Sequence, residues 1–313
     1  MAQYPLVSLV AIRSLHMLIA QLAARSISMS QIPANRSILI TGCSTGIGHA
    51  CAHGLAKRGY RVIASARQPA DVERLQDEGL ESLQLDVDDS NSIAAAVEQT
   101  LALTGGQLYG LFNNGAYGQP GAVEDLSRDT LRAQFETNLF GWHELTCGLI
   151  PIMRKQGYGR IIQNSSILGL ITLPYRGAYV ASKFALEGLT DTLRLELNGS
   201  GIHCSLIEPG PIVSRFRDNA HRMYRQHIDA EHSIHRDFYH AMARRLQKEG
   251  NAAPFTLPPG AVLKKVIHAL ESRRPKPRYY VTFPTYLFGG LRRVLSSRGL
   301  DWTLKRVSGG GSR

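Results

Sequence analysis

The sequence predicts a doubly wound α/β fold, a single domain on a parallel sheet of about seven strands with helices on both faces. Three observations lead there. From residue 35 onward, short apolar runs alternate with longer helical stretches, the rhythm of strand–helix–strand units. The centres of the runs (Ile-Leu-Ile, Val-Ile-Ala, Leu-Phe-Asn, Ile-Ile-Gln, Ser-Leu-Ile) are short and largely apolar, as strands covered on both faces require. A glycine-rich turn, Thr41 to Gly48, stands between the first run and the first helical stretch.

Taken in order, the runs place strands at Ser37–Thr41, Arg61–Ser65, Ser82–Asp86, Tyr109–Asn113, Arg160–Asn164, His203–Glu208 and Arg278–Thr282. Helices are expected near 46–58, 90–103, 127–156, 177–198 and 260–271. Together these make a core domain over 35–283. The stretch 214–256 breaks the rhythm, being long, polar and rich in His and Arg. A long excursion after a late strand lies beside the crevice at the strand C-termini. It therefore reads as a helical lid over a ligand, with an insertion that only packs or dimerises as the other reading. His221, His227, His232, His235 and His240 crowd this segment without a helical register that would bring three or four ligands together, so no metal is expected. A basic pocket for an anionic substrate and a solvated polar helix are the readings that remain for them.

Residues 284–313 form a basic amphipathic extension, in which Tyr286, Leu287, Phe288, Leu291 and Trp302 are interleaved with Arg292, Arg293, Arg298, Lys305 and Arg306. That pattern suits an interfacial helix, although Gly289, Gly290 and Gly299 weaken any single long one. Peripheral contact with a membrane, packing over a substrate pocket and dimerisation all stay open. Residues 1–34 form a leader. Arg13 interrupts its apolar run, and such a charge costs ~2.5–3.5 kcal/mol at the centre of a membrane helix. A secretory signal would carry its charge ahead of the run. An alternative start at Met29, a disordered leader, an amphipathic surface helix and packing against the body stay open.

The 313 residues carry a net charge of +11, and the location of the excess decides its meaning. Residues 273–306 hold nine Lys and Arg against the one acid Asp301, and the termini add Arg13, Arg25 and Arg313. Between Met29 and Ser272 there remain 24 bases and 24 acids. A nucleic-acid-binding domain carries its basic patch on a folded face; here the body is neutral, so no nucleic-acid partner is expected. Attraction of the ends to an acidic membrane surface fits better. Cys43, Cys51, Cys147 and Cys204 are scattered without a paired motif. That fits a reducing, cytoplasmic setting and gives no reason to expect disulfides or a zinc site.

In the glycine turn, Gly42, Gly46 and Gly48 let the backbone approach a diphosphate closely, while the following helix N-terminus offers N–H groups. A tight strand–helix turn with no ligand is the bland alternative. Tyr179 and Lys183 stand four apart and would share a helix face. A phenol titrates near ~10, too high for a base at neutral pH, and an ammonium within ~4–6 Å is expected to lower it. At the end of the second run stands Arg67, with no acid before Asp71. An acid there would bind a ribose 2′-hydroxyl, whereas Arg accommodates a 2′-phosphate.

The spacing Thr41-Gly42-Cys43-Ser44-Thr45-Gly46-Ile47-Gly48 resembles the nucleotide loop of short-chain dehydrogenases/reductases, and the likeness continues along the chain. Asp86-Val87, Asn113-Asn114-Gly115-Ala116 (with the last two residues transposed), Asn138 in Thr-Asn-Leu-Phe-Gly, Ser165-Ser166, Tyr179 to Lys183 and Glu208-Pro209-Gly210-Pro211-Ile212 follow in the family order. The resemblance is strong over about 36–213, weak beyond, and nearest to the steroid and retinol dehydrogenase branch and bacterial aldehyde reductases. It implies a Rossmann-type sheet and an NADP(H)-dependent oxidoreductase that interconverts a hydrophobic alcohol with its aldehyde or ketone. Tyr179 would be the acid/base, Ser166, thirteen residues earlier, the substrate-oxygen ligand, Lys183 the residue on the nicotinamide ribose, and Asn138 the holder of a water. Gly42, Ser44, Thr45, Gly46, Ile47 and Gly48 would cradle the diphosphate, and Arg67 the 2′-phosphate. Asp86 and Val87 would meet the adenine, with Asn113, Asn114 and Gly115 beside them. Pro209, Gly210 and Ile212 would meet the carboxamide. A homodimer or tetramer follows from the same resemblance. The rival expectation is a non-catalytic NADP(H)-binding redox sensor.

Overall fold

The computed structural model describes residues 36–247 and 253–307 of the 313. The expected leader, the end of the tail and part of the expected lid lie outside the described residues.

Seven strands form one sheet in the order β3-β2-β1-β4-β5-β6-β7, and every pairing is parallel. The strands are β1 Ser37–Ile40, β2 Arg61–Ala66, β3 Glu81–Gln84, β4 Gly110–Asn113, β5 Gly159–Asn164, β6 Ile202–Glu208 and β7 Arg278–Tyr280. Successive side chains of a strand point to opposite faces, and both faces are covered. Ile38 and Ile40 join Phe112, Leu55 and Val266 in one core layer. Leu39 joins Leu111, Ile161, Leu145 and Leu149 in the other. That two-sided burial is why the runs carry no polar alternation.

The helices are α1 Gly46–Ala56, α2 Pro69–Asp77, α3 Ser90–Thr104, α4 Arg128–Phe135, α5 Gly141–Gln156, α6 Gly177–Glu196, α7 Phe216–His227, α8 Arg236–Gln247, α9 Gly260–Glu271, α10 Phe283–Val294 and α11 Ser297–Val307. Two differ from the expectation. Helix α2 was not foreseen, because Leu75 is its one buried residue and it shows no apolar stripe. The single helix expected over 127–156 is two, joined by a wide π-helical turn over Glu136–Phe140.

Within the expected lid, α7 and α8 pack on the loop after β4. Tyr224, Ile228, Tyr239 and Met242 enclose Ala122, and the Tyr239 hydroxyl accepts from the Ala122 N–H at 2.8 Å while donating to Asp125. The lid histidines engage separate partners: His227 with Gln119, His232 with Asp229, His235 with Glu124 and His240 with Glu231. In the C-terminal extension, Phe288, Leu291, Leu300 and Leu304 pack on Ile167, Leu168 and Ile171, next to Ser166. Phe283, Tyr286, Val294 and Trp302 remain exposed. Among the described residues no helix is long and apolar enough to cross a membrane.

Candidate active site

A parallel sheet whose order reverses leaves a crevice beyond the strand C-termini at the point of reversal. Here that point lies between β1 and β4. Two loops meet there and are tied together. Thr41 Oγ1 accepts from the N–H groups of Asn114 (2.8 Å) and Gly115 (2.9 Å), and Asn114 Nδ2 donates to the Thr41 carbonyl. Gly42 has φ +69°, and a Cβ built there would lie 2.5 Å from the Gly115 Cα. A Cβ on Gly48 would lie 2.2 Å from the Gly42 carbonyl oxygen. The transposition of Gly115 and Ala116 therefore puts a glycine where two backbones nearly touch.

Thr45 caps α1 in an extended conformation without using its side chain. The first-turn N–H groups of α1 are left to meet an anion, reinforced by the positive end of the helix dipole. The loop and the helix end thus fit a dinucleotide diphosphate.

A cavity of about 430 Å³ opens over these groups. Gly42, Ser44, Thr45, Gly46, Ile47, Asn114, Gly115, Ser166, Tyr179, Lys183, Pro209, Gly210 and Ile212, all expected at the site, line it. Six expected residues stand outside that lining. Gly48 supports the loop from beneath, and Asn113 is buried, donating to Thr146 and Gln163. Arg67 is exposed at the end of β2, close enough to Asp88 and Tyr117 to influence their charge. Asp86 accepts from the Asp88 N–H, and Val87 packs against Gly141. Asn138 lies in the π-helical turn with no exposure, fastened to both the N–H and the carbonyl of Tyr117 and donating to Ser182.

The Ser166 hydroxyl lies in the same cavity wall as Tyr179, near enough to act on the charge of the phenol, and its Oγ accepts from the Leu168 N–H. Burial pushes the Tyr179 phenol up to about 12, and the neighbouring Ser166 hydroxyl works against that rise. Lys183 is 1% exposed, and burial lowers its ammonium to about 7 against the pull of Glu187. Its Nζ donates to the Asn164 carbonyl at 2.8 Å and sits 4.3 Å from the centre of the Trp142 ring, a cation–π contact. The expected lowering of Tyr179 by Lys183 is thus not what this structure displays. Both groups have lost water, which penalises phenolate and ammonium alike. The ammonium, 5.7 Å from the Tyr179 ring centre, is directed at a carbonyl instead.

Phe216, the first residue of α7, lies edge-on to Tyr179 with ring centres 5.4 Å apart. With Leu168, Leu173 and Val213 it gives the cavity an apolar wall beside two hydroxyls.

Behind the site lies a charged cluster that the sequence did not signal. Arg278 on β7 reaches Glu187 (2.9 Å) and Asp191 (2.7 Å) on α6, and Glu208 on β6 (3.2 Å). Arg194 also reaches Asp191 (3.1 Å), so three acids meet two guanidiniums. Burial, with Glu187 as a neighbour, raises Glu208 from 4.5 to about 9. Between those two values the unfolded chain has released a proton that the folded chain keeps, so stability falls as pH rises through the window. Glu208→Gln is expected to relieve this, raising Tm over wild type at pH ~8 with a gain that shrinks at pH ~5, read by thermal unfolding. An equal change at both pH values would contradict the protonation of Glu208.

The model of the short chain dehydrogenase family matches residues 36–225. The uncharacterized oxidoreductase YbbO of Escherichia coli strain K12 is 43% identical over 270 residues, covering 86% of this chain and 94% of its own. Human 17-beta-hydroxysteroid dehydrogenase type 1 is 35% identical over 259 residues, covering 78% and 77%. Among solved structures, a short chain dehydrogenase/reductase from Burkholderia phymatum in complex with NAD aligns with a TM-score of 0.69 at 25% identity, covering 83% of this chain and 92% of that one.

Proposed function

Since the chain belongs to the short-chain dehydrogenase family, we propose that it is an NADP(H)-dependent oxidoreductase interconverting a bulky hydrophobic alcohol and its aldehyde or ketone. The observation that carries this reading is the pairing of Ser166 with Tyr179 under an apolar wall, beside a glycine loop open to a diphosphate. The nicotinamide, when bound, supplies the exchange of hydride with the substrate carbon. The residues of the chain do the rest. Ser166 donates to the substrate oxygen and holds it beside Tyr179, and positioning of this kind removes much of the entropic barrier. Tyr179 Oη gives its proton to that oxygen in reduction and takes it back in oxidation. Lys183, on the same helix face as Tyr179, would meet the nicotinamide ribose and restore the Tyr179 proton. Asn138 braces the turn beside it. Phe216, at the start of the expected lid, excludes water from Tyr179.

Preference for the phosphorylated dinucleotide rests on Arg67, exposed at the end of β2 with no acid between it and Asp71 in the chain. Arg67→Ala is expected to weaken NADPH binding by roughly tenfold or more, the scale of a lost charge-assisted bond, while leaving NADH little changed. Titration followed by nicotinamide fluorescence reads both. Equal affinity of the wild type for NADPH and NADH would contradict the preference.

The steroid substrate named in the human relative supports a large hydrophobic substrate here. Assembly as a homodimer or tetramer, a cytoplasmic setting, and peripheral membrane contact through exposed Tyr286, Val294 and Trp302 complete the proposal. Size-exclusion chromatography and vesicle sedimentation test them.

A further inference from the structure

Away from the cavity, α1 and the end of α2 bring three metal-ligating side chains to one point. His49 and His53 are four residues apart on α1 and so share a face. Glu78 follows the last turn of α2. His49 Nε2 lies 2.6 Å and His53 Nε2 2.7 Å from the same Glu78 oxygen, Oε2. The three ligand atoms lie within 4.8 Å of one another, the one such group found among the described residues. The side chains are 34%, 28% and 29% exposed, so an ion in solvent can reach them.

We propose that His49, His53 and Glu78 form a binding site for a divalent transition-metal ion of the zinc type. Two imidazole nitrogens and one carboxylate oxygen are a donor set that suits this ion, with water completing the tetrahedron. The present contacts require each Nε2–H to donate to Oε2. Moving each ring proton to Nδ1 converts both nitrogens from donors into lone-pair ligands aimed at the same point. Zinc–ligand bonds of about 2.0–2.2 Å set tetrahedral ligand atoms about 3.3 Å apart, so the carboxylate retreats by only a fraction of an ångström. Glu78 is already held in place. Its Oε1 accepts from Arg74 at 2.7 Å, and Arg74 also donates to the Ser44 carbonyl at 2.7 Å. That outer link orients the ligand, and it joins the ion's site to the glycine loop. The histidine pair is visible in the sequence, but Glu78 lies 25 residues beyond His53 and reaches it only through the fold, so the sequence alone points to no metal.

The competing account is a hydrogen-bonded staple between α1 and α2, and His53→Gln separates the two, because a glutamine amide still donates to Glu78 but ligates zinc poorly. Untagged full-length chain, stripped with chelator, is titrated with zinc chloride by calorimetry, and with cobalt(II) by visible absorption. One equivalent of zinc and the intense bands of tetrahedral cobalt are expected. In His53→Gln and in Glu78→Gln the affinity is expected to fall by roughly tenfold or more, with metal-free thermal unfolding close to wild type for His53→Gln. Equal zinc affinity in wild type and His53→Gln, or no uptake at micromolar zinc, would overturn the proposal. Should His53→Gln fail to fold, His49→Gln provides the same comparison from the other ligand.

Discussion

Tyr179→Phe is expected to lower kcat/KM by on the order of 10²–10⁴-fold, the share of a positioned acid/base, while NADPH binding stays near wild type. The substitution removes one oxygen and little else. The ring remains buried at the base of the cavity, edge-on to Phe216, so packing and cofactor shape are preserved. What disappears is the hydroxyl beside Ser166, which no neighbouring group replaces. Lys183 directs its ammonium at the Asn164 carbonyl. Ser166 has a hydroxyl but no charged partner to make it a base. Steady-state turnover together with a dinucleotide titration reads both halves of the expectation, and turnover retained in the variant would remove Tyr179 from its role.

Gly42→Ala is expected to act earlier, on the site's assembly. A residue with a side chain resists φ +69° by about 1–2 kcal/mol. The new Cβ would also meet the Gly115 Cα at 2.5 Å and its nitrogen at 2.9 Å, backbone atoms of a loop whose Gly115 N–H donates to Thr41. Neither loop can yield without breaking the bonds that join β1 and β4 at the crevice. NADPH affinity should fall by at least about tenfold, and Tm by several degrees. An alanine variant that binds NADPH as tightly as wild type would mean that the diphosphate sits elsewhere.

What the sequence made legible follows from where its signals are local. Strands buried on both faces leave uninterrupted apolar runs, so each of the seven fell within a few residues of its expected place; β3, expected at Ser82–Asp86, ends at Gln84. The loop after β1 announced itself because backbone approach admits only glycine at Gly42 and Gly48. Helix α2 escaped because its signals were polar: Pro69 at the first position, Asp71 in the first turn, and Arg74 paired four residues on with Glu78. Contacts between distant segments were invisible for a different reason. The Arg278 cluster joins α6, β6 and β7, and the Lys183 environment joins Asn164 and Trp142, none of them near in sequence. Spacing told that Lys183 shares a helix face with the phenol, but not that burial would dominate both groups.

On the proposed function, this site exchanges hydride with a bulky hydrophobic alcohol or carbonyl. NADPH consumption by the purified full chain, followed by nicotinamide absorbance against a panel of long-chain, aromatic and steroidal aldehydes and ketones, tests it most directly. Turnover of at least one of them, faster with NADPH than with NADH and absent in Tyr179→Phe, is the expected result. Tight NADPH binding with no turnover of any carbonyl, nor of the matching alcohols with NADP⁺, would contradict the claim and leave a nucleotide-binding protein that senses the cofactor without using it.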